Sequence, residues 1–162
     1  PLIRAALPTA RLVIVGSLPE STYAYHTAAN GVEFRGFVSD LAEVYANAGV
    51  ACCPVWSGGG TRLKILEAAA FGIPIVATTF AAQGIAFKDQ VEILLRDDPQ
   101  SIADACVTVL TDRPLSDRLS RAARATVERL YERQGVIAGI RRTVAPIISA
   151  ARRTGLKGTA VG

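Results

Sequence analysis

The chain holds 162 residues, 50% hydrophobic and 20% charged, with 14 Gly, 8 Pro and 3 Cys. That length fits one domain with its own core, since domains run to roughly 100–200 residues, and the apolar content excludes a disordered tail or a fibrous repeat. No apolar run reaches the roughly 18–20 residues of a membrane-crossing helix. The first ten residues lack a charged-then-apolar leader pattern, and Cys52, Cys53 and Cys106 form neither a disulfide framework nor a zinc spacing.

The net charge of +4 is unevenly placed: residues 1–112 carry seven basic and eleven acidic side chains, residues 113–162 eleven and three. A basic terminal segment reads either as a contact for phosphate-bearing partners or as a solvated helix face with a tail. His26 is the one histidine, so a histidine-centred triad would rest on it alone. The baseline expectation is a soluble, cytoplasmic protein of a reducing compartment.

In chain order, residues 11–16 (RLVIVG) form a β-branched run closed by glycine, expected as a buried strand. A helix is expected over 19–30, with Gly31 as its stop, then an alternating segment over 32–35. Asp40 is placed to cap a helix reaching Ala48. Residues 50–55 make a second buried strand. After Gly58-Gly59-Gly60 a helix runs from Thr61 or Arg62 to Phe71, ended by Gly72, and residues 74–78 form the next strand. Residues 92–95 give a short strand, followed by a helix to Leu110 capped by Asp98 or Ser101. An amphipathic helix over 115–132 carries Leu119, Ala122, Ala123, Val127 and Leu130 on one stripe, and a last helix covers about 135–151. Apolar strands alternating with helices predict an α/β fold, a Rossmann-like parallel sheet with helices on both faces. Such sheets bind ligands beyond the carboxyl ends of their strands, which directs attention to the loops at 17–19, 36–39, 56–61 and 78–84.

The glycine run opening a helix is the most informative feature. Three glycines let a ligand approach the backbone, and the helix behind them offers free N–H groups and a positive dipole end, a setting suited to phosphate. A flexible turn is the plainer alternative. Between Leu63 and Phe87 the only charged residues are Lys64 and Glu67, three apart on one helix face. Leu63, Leu66 and Ala70 mark a buried stripe, yet Ile65, Ala68 and Ala69 are apolar too, so this helix is expected to be buried nearly all round. Lys64 and Glu67 then either pair with each other or line a cleft, where Glu67 accepts hydrogen bonds from sugar hydroxyls and Lys64 or Arg62 meets phosphate. The P-loop spacing is absent, because the sixth position from Gly58 is Leu63. No G-x-G-x-x-G follows Val15-Gly16, and the strand ending at Pro54 and Trp56 has no phospho-acceptor Asp.

The run GVEFRGFVSDLAEVYANAGVACCPVWSGGGTRLKILEAAAFGIPIVATT (residues 31–79) resembles the carboxyl-terminal domain of GT-B glycosyltransferases, specifically the large retaining "group 1" family, and the likeness extends over about residues 5–145. The resemblance implies a two-domain enzyme that binds a nucleotide-sugar donor on this domain. The acceptor belongs to an amino-terminal domain, configuration is retained, and no bound metal or other cofactor takes part. Carried over by residue, Glu67 matches the second Glu of the family's E-x7-E motif, which holds the ribose hydroxyls. Val38 matches a position flanking the base. Gly60, Thr61, Arg62 and Leu63 match the loop and helix start whose amides meet the diphosphate. Two positions depart from the pattern: the first Glu of the motif, which contacts the donor sugar, falls at Gly59, and Arg62 replaces a common Gly, which with Lys64 points to side-chain neutralisation of phosphate.

The chain is accordingly expected to be a fragment: a donor-binding domain over 1–151 with a basic, flexible tail over 152–162, inactive alone. Pro1 to Pro8 resembles the end of the domain's first helix. The strand before it lies outside the chain, leaving a sheet edge open for another copy. A GT-B-type sugar-nucleotide epimerase and a non-catalytic nucleotide-binding module remain as alternatives. Trp56 forms a cleft wall or packs its loop, His26 is structural or on the surface, and Cys52 and Cys53 are core thiols. Residues 141–157 either touch an anionic membrane or pack Ile140, Val144, Ile147 and Ile148 on the domain or on the amino-terminal half. No nucleic-acid partner is expected.

Overall fold

The computed structural model describes residues 1–16, 30–60 and 62–131, together with 142, 145 and 146. In chain order the elements are α1 (Leu2–Ala6), β1 (Leu12–Ile14), β2 (Val32–Phe34), α2 (Ala42–Ala46), β3 (Ala51–Cys53), α3 (Leu63–Ala70), β4 (Ile75–Ala77), β5 (Leu94–Leu95), α4 (Pro99–Thr111) and α5 (Arg113–Leu130). Every strand pairing among the described residues is parallel, with Leu12 opposite Val32, Ala51 opposite Ile75 and Val76 opposite Leu94. The α/β, Rossmann-like fold read from the alternation of strands and helices is the one observed. The helix expected over 19–30, with His26, lies outside the described residues, as do nearly all of 135–151 and the tail over 152–162. Among the described residues no helix is long and apolar enough to cross a membrane.

The described strands fall into two ladders, β1–β2 and β3–β4–β5, rather than one continuous sheet. Side chains of β4 alternate between two cores, as the two-residue period of a strand requires. Ile75 and Ala77 enter a cluster with Ile65, Ala68 and Ala69 of α3 and Ala123 of α5, while Val76 enters a second with Leu94, Ile102, Cys106, Val109 and Leu119. Both faces of β4 are thereby covered by helices. Fully burying one Val, Leu or Ile side chain contributes about 1.5–3 kcal/mol, so this strand is the natural centre of stability. Ile3 of α1 packs against the second cluster, beside Val50 and Cys52, and ties the outer ladder to the inner one.

Three expectations are corrected. The run 11–16 is not a buried strand: Leu12 is 49% exposed, because β1 pairs only with β2 among the described residues and touches neither core cluster. On α3 the buried residues are Ile65, Ala68 and Ala69, whereas Leu63 is 56% exposed and Ala70 is exposed. The helix packs between β4 and α5, and its small Ala68–Ala69 face admits the close approach of Ala123, so one face stays open instead of being buried all round. Leu130 at the end of α5 is exposed, and Thr126 takes the buried place, donating from its hydroxyl to the Glu92 carboxylate at 3.2 Å.

Candidate functional site

Because all pairings are parallel, the carboxyl ends within each ladder face the same way, and β3, β4 and β5 deliver residues 54–60, 78–84 and 96–98 to one rim. The chain turns from β3 into α3 through Gly58, Gly59 and Gly60. Gly58 and Gly60 have φ of +124° and +104°, a backbone that side chains rarely adopt. A Cβ built on any of the three glycines meets nothing within 4 Å. The turn is therefore open to a ligand rather than filled by the domain itself.

Arg62 is the N-cap of α3 and gives it no side-chain cap; the Ile65 amide bonds the Arg62 carbonyl at 3.1 Å, and no side chain among the described residues caps the first turn. Its guanidinium lies over the Phe80 ring, 5.0 Å from the centroid, and Nη1 donates to the Gly60 carbonyl at 3.3 Å. Arg62 thereby joins the glycine turn to the loop after β4. Lys64 is exposed beside it. Thr61, between the two, lies outside the described residues.

Glu67 is half-buried, one and a half turns into α3, and its carboxylate makes no hydrogen bond or ion pair with any described residue, Lys64 included. Tyr45 of α2 stacks on Phe71 with ring centroids 4.7 Å apart. The Tyr45 phenol is raised above its usual value by burial first, then by the negative charge of Glu67 and by Cys53. Val38 is half-buried on the loop after β2, in the other ladder from the glycine turn, and its neighbour Phe37 is 85% exposed. Of the residues singled out in the sequence, Gly59, Gly60, Arg62, Leu63, Lys64 and Glu67 thus fall on one continuous turn and helix, while Val38 stands apart.

The structure adds a latch that sequence reading missed. Trp56 donates its indole N–H to the Asp97 carbonyl at 2.7 Å, across 41 residues of sequence. The Asp97 carboxylate in turn accepts from the Thr79 amide and hydroxyl, each at 2.8 Å. Thr78, fully buried, donates its hydroxyl to the Val55 carbonyl and accepts the Ala81 amide. The loops after β3, β4 and β5 are thereby cross-linked. Asp97-Asp98-Pro99 carried a signal, since an acid just beyond a strand end that the helix cap does not consume is free to bind a neighbouring loop. Cys52 and Cys53 are half-buried, Cys53 packing against the first core cluster and Cys52 against the second. No group of three or more metal-ligating side chains is brought together among the described residues.

The sequence profile of the family described as glycosyl transferases group 1 matches residues 1–112. No curated protein is significantly similar in sequence. Among solved structures, HepE from Anabaena in complex with UDP-glucose superposes with a TM-score of 0.68 and 21% identity, over 92% of this chain and 44% of that one. The carboxyl-terminal domain of the group 1 family protein LpcC from Francisella tularensis gives 0.64 and 22%, over 81% and 77%. Sucrose-phosphate synthase from Thermosynechococcus elongatus gives 0.74 and 22%, over 91% and 41%. At these identities the superpositions establish the fold, and the chain spans less than half the length of HepE or of the synthase.

Proposed function

The chain belongs to the glycosyl transferases group 1 family, and from that premise we propose that it forms the donor-binding half of a retaining glycosyltransferase, taking a nucleoside-diphosphate sugar. The observation that carries the reading is the open Gly58–Gly60 turn running into the start of α3, which Arg62 does not cap, with the Glu67 carboxylate beyond it unpaired among the described residues. The diphosphate rests on the turn, where backbone N–H groups and the positive helix end favour an anion. Arg62, oriented by Phe80 and Gly60, and Lys64 supply the countercharge in place of a metal. Glu67 accepts hydrogen bonds from the two ribose hydroxyls, and Val38 borders the base.

Transfer breaks the bond between the anomeric carbon and the β-phosphate oxygen and forms one to an acceptor hydroxyl oxygen, whose proton passes to the departing diphosphate. The electron pair leaves with the diphosphate. Groups already aimed at that developing charge lower the barrier without reorganising, which is the work assigned to Arg62, Lys64 and the α3 amino end. An amino-terminal domain is proposed to carry the acceptor.

Calorimetry with UDP, GDP and ADP tests the reading. One of them binds the chain, and Glu67→Ala weakens that affinity by roughly 10-fold or more, the loss expected when hydrogen bonds to a charged group disappear, about 1.5–3 kcal/mol. Because this carboxylate has no partner among the described residues, circular dichroism of the variant stays native. Equal affinity of wild type and Glu67→Ala overturns the ribose assignment.

A further inference from the structure

We propose that the exposed face of Trp56 is the platform on which the sugar ring of the donor rests; this builds on the donor-site reading above and names the contact for its sugar. Trp56 is 51% exposed, although its one polar atom is fully engaged with the Asp97 carbonyl at 2.7 Å. An indole that only packed its loop would bury its faces. This one is anchored by its edge, and the anchor is itself braced by the two bonds from Thr79 to the Asp97 carboxylate. The ring is therefore tethered at its nitrogen edge while about half of the residue's surface stays open, which lowers the ordering cost of binding. The amphipathic indole suits such a place, with its polar edge satisfied and its apolar, electron-rich face presented.

The position fixes what the face can meet. Trp56 precedes the Gly58–Gly60 turn by two residues, on the loop that carries it, and Gly59 offers the turn no side chain of its own. A group bonded to the outer phosphate on that turn has the Trp56 ring as an aromatic neighbour on the same loop. A pyranose carries a patch of C–H groups on one face, weakly positive and apolar, and that patch complements the negative face of an indole. The contact discriminates between a nucleoside diphosphate and its sugar ester, which differ only in the ring.

Trp56 is the only tryptophan of the chain, so intrinsic emission reports on this residue alone. The chain is titrated with UDP and UDP-glucose and with GDP and GDP-mannose, calorimetry fixing saturation for each. The sugar nucleotide changes the emission intensity or maximum at saturation and the free diphosphate does not. Trp56→Ala weakens the sugar nucleotide by about fivefold, the order of one aromatic contact, and leaves the free diphosphate within twofold; Trp56→Phe, which keeps an aromatic face but lacks the N–H anchor, restores part of the loss. Equal losses for both ligands, the same spectral change with the diphosphate alone, or no change at saturating sugar nucleotide overturns the platform while leaving the diphosphate site intact. Absence of binding by every diphosphate overturns the donor-site reading, and the platform with it.

Discussion

At the scale of single residues, Cys53 shows how the site's surroundings set reactivity. Its thiol is pushed up to about 11, by burial first and by Cys52 second, with Lys64 pulling the other way. Cys106 is raised as well, through its hydrogen bond with Cys52 and its burial. Since the thiolate is the attacking species, Cys53 is nearly all protonated at neutral pH, and its rate of alkylation by iodoacetamide climbs about tenfold per pH unit in proportion to the thiolate fraction. Peptide mass spectrometry of the labelled chain is expected to show that rate still climbing at pH 10. Levelling near pH 9, the behaviour of an ordinary thiol, contradicts the burial assigned here. The residue types around the site were readable in the sequence, down to Lys64 and Glu67 on one face of one helix. Their failure to pair with each other was not, because a three-residue spacing permits an ion pair without requiring one. The Trp56–Asp97–Thr79 latch was equally hidden, since its partners lie 41 and 18 residues apart and meet only when three loops share a rim.

Among elements, the helix ends were the more legible part and the helix faces the less. Asp98 caps α4 as its spacing suggested, its carboxylate accepting the Ser101 amide at 2.9 Å. Asp40, expected as the cap of α2, accepts the Ala42 amide at 2.8 Å from one residue before the actual N-cap, Leu41. The start of α5 depends on Asp112, which ends α4 with its amide on the Thr108 carbonyl and opens α5 with its carboxylate on the Leu115 amide at 3.0 Å. Asp112→Ala is expected to lower stability by about 1 kcal/mol, the usual worth of an N-cap, and Asp112→Ser to recover most of it. Urea denaturation followed by circular dichroism measures both, and two variants of equal stability would show that the carboxylate contributes no cap. The face of α3 is hard to read from sequence because six of its eight residues are apolar, and Lys64 and Glu67 mark the open side without deciding which apolar residues go in. Only the tertiary contact with β4 and with Ala123 selects which apolar residues go in. On α5 polar residues do fix the phase, and there Leu119 and Ala123 are buried as the pattern predicts.

For the molecule as a whole, burial is lopsided. Every buried apolar residue among those described lies between Ile65 and Ala123, whereas β1, β2, α1 and α2 contribute none. The proposed phosphate turn leads into the well-packed part through α3, while Val38 and Phe37 belong to the sparsely packed part. A protein opens first where few apolar contacts oppose it. The outer ladder, held to the inner one through α1, is therefore expected to open in a sub-global step that leaves β3–β4–β5 and their helices intact. Native-state hydrogen exchange resolves this. Amides of β4 exchange only through global unfolding, and those bonded across β1–β2, such as Leu12 to Gly31 and Arg35 to Ile14, exchange at least ~100-fold faster and with a weaker denaturant dependence. If a nucleoside diphosphate spans both parts, as placing Val38 beside the base requires, saturating ligand slows the β1–β2 amides more than binding at the turn alone would allow. Protection confined to the neighbourhood of Gly58 and α3 would detach Val38 from the site, and uniform exchange across both ladders would show that they unfold as one unit.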